Sequence, residues 1–157
     1  MMFTVQTKGE EKTLEFGEKI GREISPPFFL ALVGELGSGK TIFTKGIAKG
    51  VGAGGTVRSP SFILINQYEG PVPLYHFDLY RLKDPRELFQ IGYQEYFYDP
   101  EGIVVVEWAD KIRQLLPSEY LEVIFEIKNL NSRKITLLPR GERYTRFVEQ
   151  IKRGFKC

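Results

Sequence analysis

Six apolar residues in a row, Phe28 to Val33 (FFLALV), run straight into GELGSGKT at Gly34 to Thr41. Few local patterns restrict a fold so strongly. The apolar run does not alternate, so it suits a strand covered on both faces, as in a parallel sheet. SPP at Ser25 to Pro27 stops any helix before it, because proline disfavours helix in the residue that precedes it. The residues after Gly39 read as a helix to about Val51, ended by GVGAGG. A buried strand, a glycine-rich turn and a helix thus follow one another without a linker.

GELGSGKT conforms to G-x-x-x-x-G-K-[ST], the P-loop pattern. The physical reason lies in the triphosphate, which packs several negative charges into a small, strongly hydrated group. To replace that water, a loop must turn several backbone N–H groups inward, and glycine permits the turns and the close approach. The helix that follows adds the positive end of its dipole. In this reading Gly34, Glu35, Leu36, Gly37, Ser38, Gly39, Lys40, Thr41 and Ile42 bind nucleotide. Lys40 reaches the β- and γ-phosphates, and the Thr41 hydroxyl holds the Mg2+ that bridges them. The alternative is a glycine-rich turn with an exposed lysine, and the strand–turn–helix context argues against it.

Elsewhere, FTVQT (Phe3 to Thr7), FILINQY (Phe62 to Tyr68), LYHFDLYR (Leu74 to Arg81), IVVVEW (Ile103 to Trp108), YLEVIFEI (Tyr120 to Ile127) and KITLL (Lys134 to Leu138) read as strands. EGPVP between the second and third suggests a hairpin. Helices are expected from Thr13 to Ile24, and from Asp84 to about Phe97. The second starts with Asp84 as N-cap, Pro85 in the first turn and Glu87 placed for a capping box. A short helix then precedes Pro117. Tyr144, Phe147, Val148 and Ile151 follow i, i+3, i+4, i+7, so the tail is amphipathic. Alternating strands and helices predict an α/β P-loop NTPase fold with a mostly parallel central sheet, flanking helices and an antiparallel hairpin.

Two acids stand out. Glu107 follows four aliphatic residues in IVVVEW, where a P-loop protein needs an acid near Mg2+. It reads as a metal ligand, directly or through water, or as the base that orients the attacking water. A surface acid just past a strand end is the plain alternative. On a strand, His76, Asp78 and Tyr80 share one face and Phe77 and Leu79 the other. Phe77 and Leu79 should face the core, leaving Asp78 on a polar or functional face. His76 by itself reads as structural. Ser59 or Ser61 in RSPSF is a candidate contact to the γ-phosphate or metal, as in switch loops.

The chain has 157 residues, 42% of them hydrophobic and 27% charged, which suits one domain over 1–157. FFLALV is too short to span a membrane, and the N-terminus lacks a signal-peptide pattern. One histidine, and one cysteine at Cys157, argue against a structural zinc site. A reducing cytoplasmic location fits. Charge is uneven. Residues 1–127 carry a net −5, and residues 128–157 carry 9 basic against 2 acidic residues, a net +7. The basic C-terminal extension is either a solvated surface or a docking face for nucleic acid or an acidic protein.

GELGSGKT, then VRSPSFILINQYEG, PLYHFDLYRL and GIVVVEWAD, in that order, resemble the TsaE (YjeE) family of bacterial tRNA threonylcarbamoyladenosine biosynthesis. The resemblance covers roughly residues 24–117, and HFDLYRL followed by VEW is its most specific pair. It implies a small Mg2+-dependent ATPase, weak alone and stimulated by TsaD and TsaB. Those partners transfer threonylcarbamoyl to adenosine 37 of tRNA, and tRNA is met indirectly through the complex. It also implies catalytic roles for Lys40, Asp78 and Glu107, a metal role for Thr41 and Glu107, and a nucleotide-site role for Ser61 and Trp108. The family usually has threonine where this chain has Ser61, which keeps the hydroxyl with a less restricted rotamer.

Two other readings share the P-loop. A small-molecule kinase needs an acceptor pocket and usually an Arg-bearing lid, and no Arg-rich lid is apparent. A nucleotide-dependent binding module would bind without turnover. No arginine finger lies in a local motif; Arg58 and Arg81 are candidates, and a partner is another source for a missing charge. The absence of NKxD favours ATP over GTP.

Overall fold

The computed structural model describes residues 2–54, 56–58 and 65–155, the side chains of 56–58 excepted. Eight strands form one sheet: β1 (Phe3–Lys8), β2 (Phe28–Gly34), β3 (Thr56–Arg58), β4 (Ile65–Tyr68), β5 (Leu74–Asp78), β6 (Ile103–Glu107), β7 (Tyr120–Ile127) and β8 (Ser132–Arg140). Their order is β1-β8-β7-β2-β6-β5-β4-β3. The four central strands, β7, β2, β6 and β5, run parallel. Both flanks are antiparallel, through β7–β8–β1 on one side and β5–β4–β3 on the other. The parallel centre is the expected one. Antiparallel pairing extends further than a single hairpin.

β2 behaves as its unbroken apolar run requires, because both of its faces are covered. Phe28, Leu30 and Leu32 join a core beneath α1 (Glu10–Glu23), α2 (Lys40–Gly50) and α5 (Glu142–Gly154). Phe29 and Ala31 join a second core beneath α3 (Glu87–Gln90), α4 (Tyr93–Phe97) and a 3-10 segment, Ala109–Leu115. The tail reads as its spacing implied: Tyr144, Phe147, Val148 and Ile151 are all buried. Tyr144 also ties α5 to the sheet, because its hydroxyl accepts the Phe29 N–H at 3.0 Å. Residues 132–154 are therefore part of the sheet and core. Some of their charge serves the fold, since Arg143 donates to the Ser25 carbonyl and Arg146 pairs with Glu142.

α1 and α2 meet backbone to backbone. A Cβ on Gly21 would sit 2.5 Å from the Ile47 carbonyl oxygen, and one on Gly46 2.9 Å from Glu18 N. Gly17 and Gly50 leave equally little room. α1 starts at Glu10 rather than Thr13, and its packing face is Thr13, Phe16, Gly17, Ile20 and Gly21. An apolar-moment reading does not see glycine as a contact residue, so this seam went unread in the sequence.

The helix expected from Asp84 to Phe97 is two short helices. Gly92, at φ +66, takes a left-handed conformation that ends one and starts the next. The first helix starts at Glu87 with Arg86 as its N-cap and no side-chain cap, so Asp84 is not the cap. Glu87 Oε2 accepts the Asp84 N–H at 3.2 Å and Asp84 Oδ1 the Arg86 N–H at 2.9 Å in the turn that precedes it. The strand expected over Leu74–Arg81 ends at Asp78. Phe62 to Leu64, the first part of FILINQY, lie outside the described residues.

Candidate nucleotide-binding site

The loop between β2 and α2 needs its glycines for two reasons. Gly37 and Gly39 have φ +79 and +106, conformations that side chains rarely adopt. At Gly34 the constraint is space: a Cβ there would lie 2.7 Å from Ser38 Oγ and 2.8 Å from the Phe125 carbonyl oxygen. Lys40 opens α2, and only 4% of it is exposed. Its ammonium donates to the Gly34 and Glu35 carbonyl oxygens at 2.5 and 2.9 Å, and lies 4.0 Å from the centre of the Trp108 ring. Burial pushes its pKa below the ordinary lysine value, against the pull of the Glu107, Asp78, Asp110 and Glu35 carboxylates. A cation held this way gains from an incoming anion.

The acids come from neighbouring parallel strands. The register of β5 on β6 sets Asp78 opposite Glu107. Asp78 Oδ1 accepts the Tyr80 N–H at 3.1 Å, which turns the chain out of β5. Glu107 is 2% exposed. The Thr41 hydroxyl lies 3.0 and 3.2 Å from its two carboxylate oxygens, and His76 Nε2 lies 2.5 Å from Oε2. Trp108 follows with φ +63, the one non-glycine residue in that region among the described residues. That turn lays its ring over Lys40 and 5.3 Å from the Tyr80 ring.

An open cleft of about 360 Å3 joins these parts. Of the candidate residues, Leu36, Gly37, Ser38, Gly39, Lys40, Thr41, Ile42, Asp78, Glu107 and Trp108 line it. Gly34 and Glu35 sit behind, as acceptors for Lys40. Ser59 and Ser61 lie outside the described residues, as does the Arg58 side chain. Arg81 is exposed and is not among the cleft-lining residues.

The opposite wall was not foreseen. It comes from the β1–α1 junction (Gly9, Glu10, Thr13) and the β7–β8 turn (Leu130, Asn131, Arg133). Gly9 N–H donates to the Asn131 carbonyl at 2.6 Å, and Arg133 donates to the Gly37 carbonyl at 3.1 Å. The sequence held no local signal for Arg133, which is 96 residues from Gly37 and sits in a generally basic stretch. His76 was read as structural, and its bond to Glu107 depends on strand register.

The residues fit a Mg2+–nucleotide site. No cluster of three or more His, Cys, Asp or Glu able to cage a metal occurs among the described residues. Mg2+ does not need one, since it binds through one or two protein oxygens, substrate phosphates and water. The Thr41 hydroxyl beside Glu107, at the mouth of the loop, offers that kind of donor set. No helix among the described residues is long and apolar enough to cross a membrane.

Known proteins resemble this chain over most of its length. A family model described as "Threonylcarbamoyl adenosine biosynthesis protein TsaE" matches residues 7–135. The tRNA threonylcarbamoyladenosine biosynthesis protein TsaE of Bacillus subtilis (strain 168) is 38% identical over 149 residues, spanning 94% of this chain and 92% of its own. The TsaE protein of Treponema pallidum (strain Nichols) is 34% identical over 131 residues, spanning 83% and 96%. The crystal structure of Bacillus subtilis YdiB matches with a TM-score of 0.82 at 33% identity, covering 99% of this chain and 97% of that one. With a family model matched over residues 7–135 and relatives sharing more than 30% identity over nearly the whole length, the chain belongs to the TsaE family.

Proposed function

We propose that this chain is the ATP-binding and hydrolysing subunit for threonylcarbamoyl modification of adenosine 37 in tRNA, acting in the cytoplasm with TsaD and TsaB. The reading takes 1–157 as one nucleotide-binding domain that meets tRNA only through the complex. One observation carries it: the Thr41 hydroxyl bonds Glu107 at the mouth of a loop whose buried lysine is 4.0 Å from the Trp108 ring.

Each group then has a task. Lys40 exchanges the loop's carbonyl oxygens for phosphate oxygens, and that relieves its buried charge. Thr41 and Glu107 would hold Mg2+, directly or through water, and the ion would supply neutralisation of phosphate charge. A hydroxyl that donates its proton to Glu107 keeps its oxygen lone pairs available as a ligand. Asp78, beside Glu107 in register, orients the attacking water together with it. Trp108 covers the phosphate end, and Ser61 supplies the switch contact. The wall of Gly9, Glu10, Leu130 and Asn131 receives the base.

The residues that line the cleft support partner activation. Among the described residues lining the cleft, Arg133 is the only arginine, and it is engaged by loop carbonyls. A transition-state charge supplied from outside would raise a slow intrinsic rate. The test is ATP hydrolysis by the chain alone and with purified TsaB and TsaD, with Lys40→Ala as control. Low activity that rises with partners and vanishes in the variant is expected. Nucleotide binding without stimulation would overturn partner activation and direct attention to a phosphoryl acceptor.

A further inference from the structure

His76 is the only histidine in the chain. It lies on β5 opposite Val105 of β6, and only 5% of it is exposed. Its two nitrogens stand in contrasting situations. Nε2 lies 2.5 Å from Glu107 Oε2, whereas Nδ1 is buried without a hydrogen-bond partner among the described residues. A carboxylate oxygen accepts, so Nε2 is the nitrogen that donates to Glu107.

Glu107 needs this donor. A carboxylate that is only 2% exposed requires hydrogen bonds to hold its orientation. The Thr41 hydroxyl has one proton, which it shares between Oε1 at 3.0 Å and Oε2 at 3.2 Å. The short bond to Oε2 comes from His76 alone. Thr41 belongs to the P-loop helix and is exposed, while His76 is fixed in the sheet. When nucleotide enters and the Thr41 hydroxyl takes new partners, His76 is the contact that still defines where the carboxylate points.

We propose that His76 is a positioning residue for Glu107, acting through its Nε2–H, and that Nδ1 has no part in the function. The proposal rests on the reading of Glu107 as the acid of the metal–water site. It makes an uncommon prediction about isosteres. Glutamine places an amide N–H near the position of Nε2, so His76→Gln preserves the bond. Asparagine places its amide near Nδ1, so His76→Asn does not. His76→Leu keeps the bulk and has no donor.

The test compares these three variants and Glu107→Gln with the unaltered chain. It reads kcat and KM for ATP hydrolysis with TsaB and TsaD present. It also reads ADP affinity by calorimetry with and without Mg2+, a measure independent of turnover. Loss of a residue that orients a metal-site ligand typically costs roughly 10- to 100-fold. His76→Leu and His76→Asn should show that loss in kcat and in the Mg2+-dependent part of ADP affinity, while metal-free ADP affinity holds. His76→Gln should stay within about threefold of the unaltered chain by the same measures. Equal losses in Gln and Asn, or rescue by Asn, would overturn the proposal. So would unchanged function in His76→Leu while Glu107→Gln is impaired. If Glu107→Gln is itself unimpaired, the underlying reading fails and takes this one with it. Should His76→Leu not fold, the Gln–Asn contrast decides.

Discussion

Gly46→Ala asks whether the P-loop helix is set in place by backbone contact with α1. Replacing glycine by alanine inside a helix favours folding by about 1 kcal/mol through propensity. Opposing that, a Cβ on Gly46 would press on the Leu14 carbonyl oxygen and lie 2.9 Å from both Glu18 N and Gly17 Cα, where ordinary contact begins at 3.4 Å. All three are backbone atoms, so no side chain can swing aside. The helices must part by on the order of 1 Å, which forfeits a quarter to a half of each dispersion contact along the seam. Overpacking of this kind costs about 1–3 kcal/mol, and two rigid backbones place it at the upper end. The net loss is then about 1–2 kcal/mol, or roughly 2–8 °C in melting temperature at this chain length. Urea unfolding followed by circular dichroism should show a lower midpoint with an unchanged slope. Nucleotide affinity should fall with it, because α2 begins at Lys40. Gly154, with nothing within 4 Å of a Cβ, is the control, and Gly154→Ala should be neutral or stabilising. If Gly46→Ala is as stable as that control, close helix contact is not what these glycines are for.

Lys40→Ala should abolish measurable ATP binding in calorimetry while leaving the circular dichroism spectrum native. Retained affinity would remove the lysine from the site. Thr41→Val keeps the shape and deletes the hydroxyl, so Mg2+ should no longer strengthen nucleotide binding. An undiminished Mg2+ effect would place the metal elsewhere. Tyr75 supplies a pH signature: burial, then its 2.8 Å hydrogen bond to Asp99, pushes its pKa from 10.0 to about 12. A raised folded-state value means the stabilisation is complete below pH 10 and is lost as pH climbs towards about 12. The urea midpoint should therefore fall less steeply over that range in Tyr75→Phe than in the unaltered chain, and equal slopes would refute the assignment.

Much of the frame was legible in the residues because it depends on near neighbours. FFLALV and IVVVE announce strands buried on both faces, and both are. Asp84 and Glu87 mark the turn that leads into a helix, since their hydrogen bonds span two or three residues, although the helix itself starts at Glu87. Tyr144, Phe147, Val148 and Ile151 mark a buried face, since helical periodicity is local. GELGSGKT carries its own chemistry, because glycine torsion, lysine charge and a threonine hydroxyl act within one turn. Pairing across the sheet was decided elsewhere. Register put Asp78 opposite Glu107 and His76 Nε2 on its carboxylate, and a one-residue slip would have turned each side chain to the other face. Strand order brought Asn131 to Gly9 and Arg133 to the Gly37 carbonyl, closing a wall that no motif announced. The Gly17, Gly21, Gly46 and Gly50 seam likewise exists only once α1 lies on α2. Torsional preference and periodicity are properties of a short stretch of chain. Which residues meet across the sheet is a property of how every strand shares one buried core, and that only the tertiary structure decided.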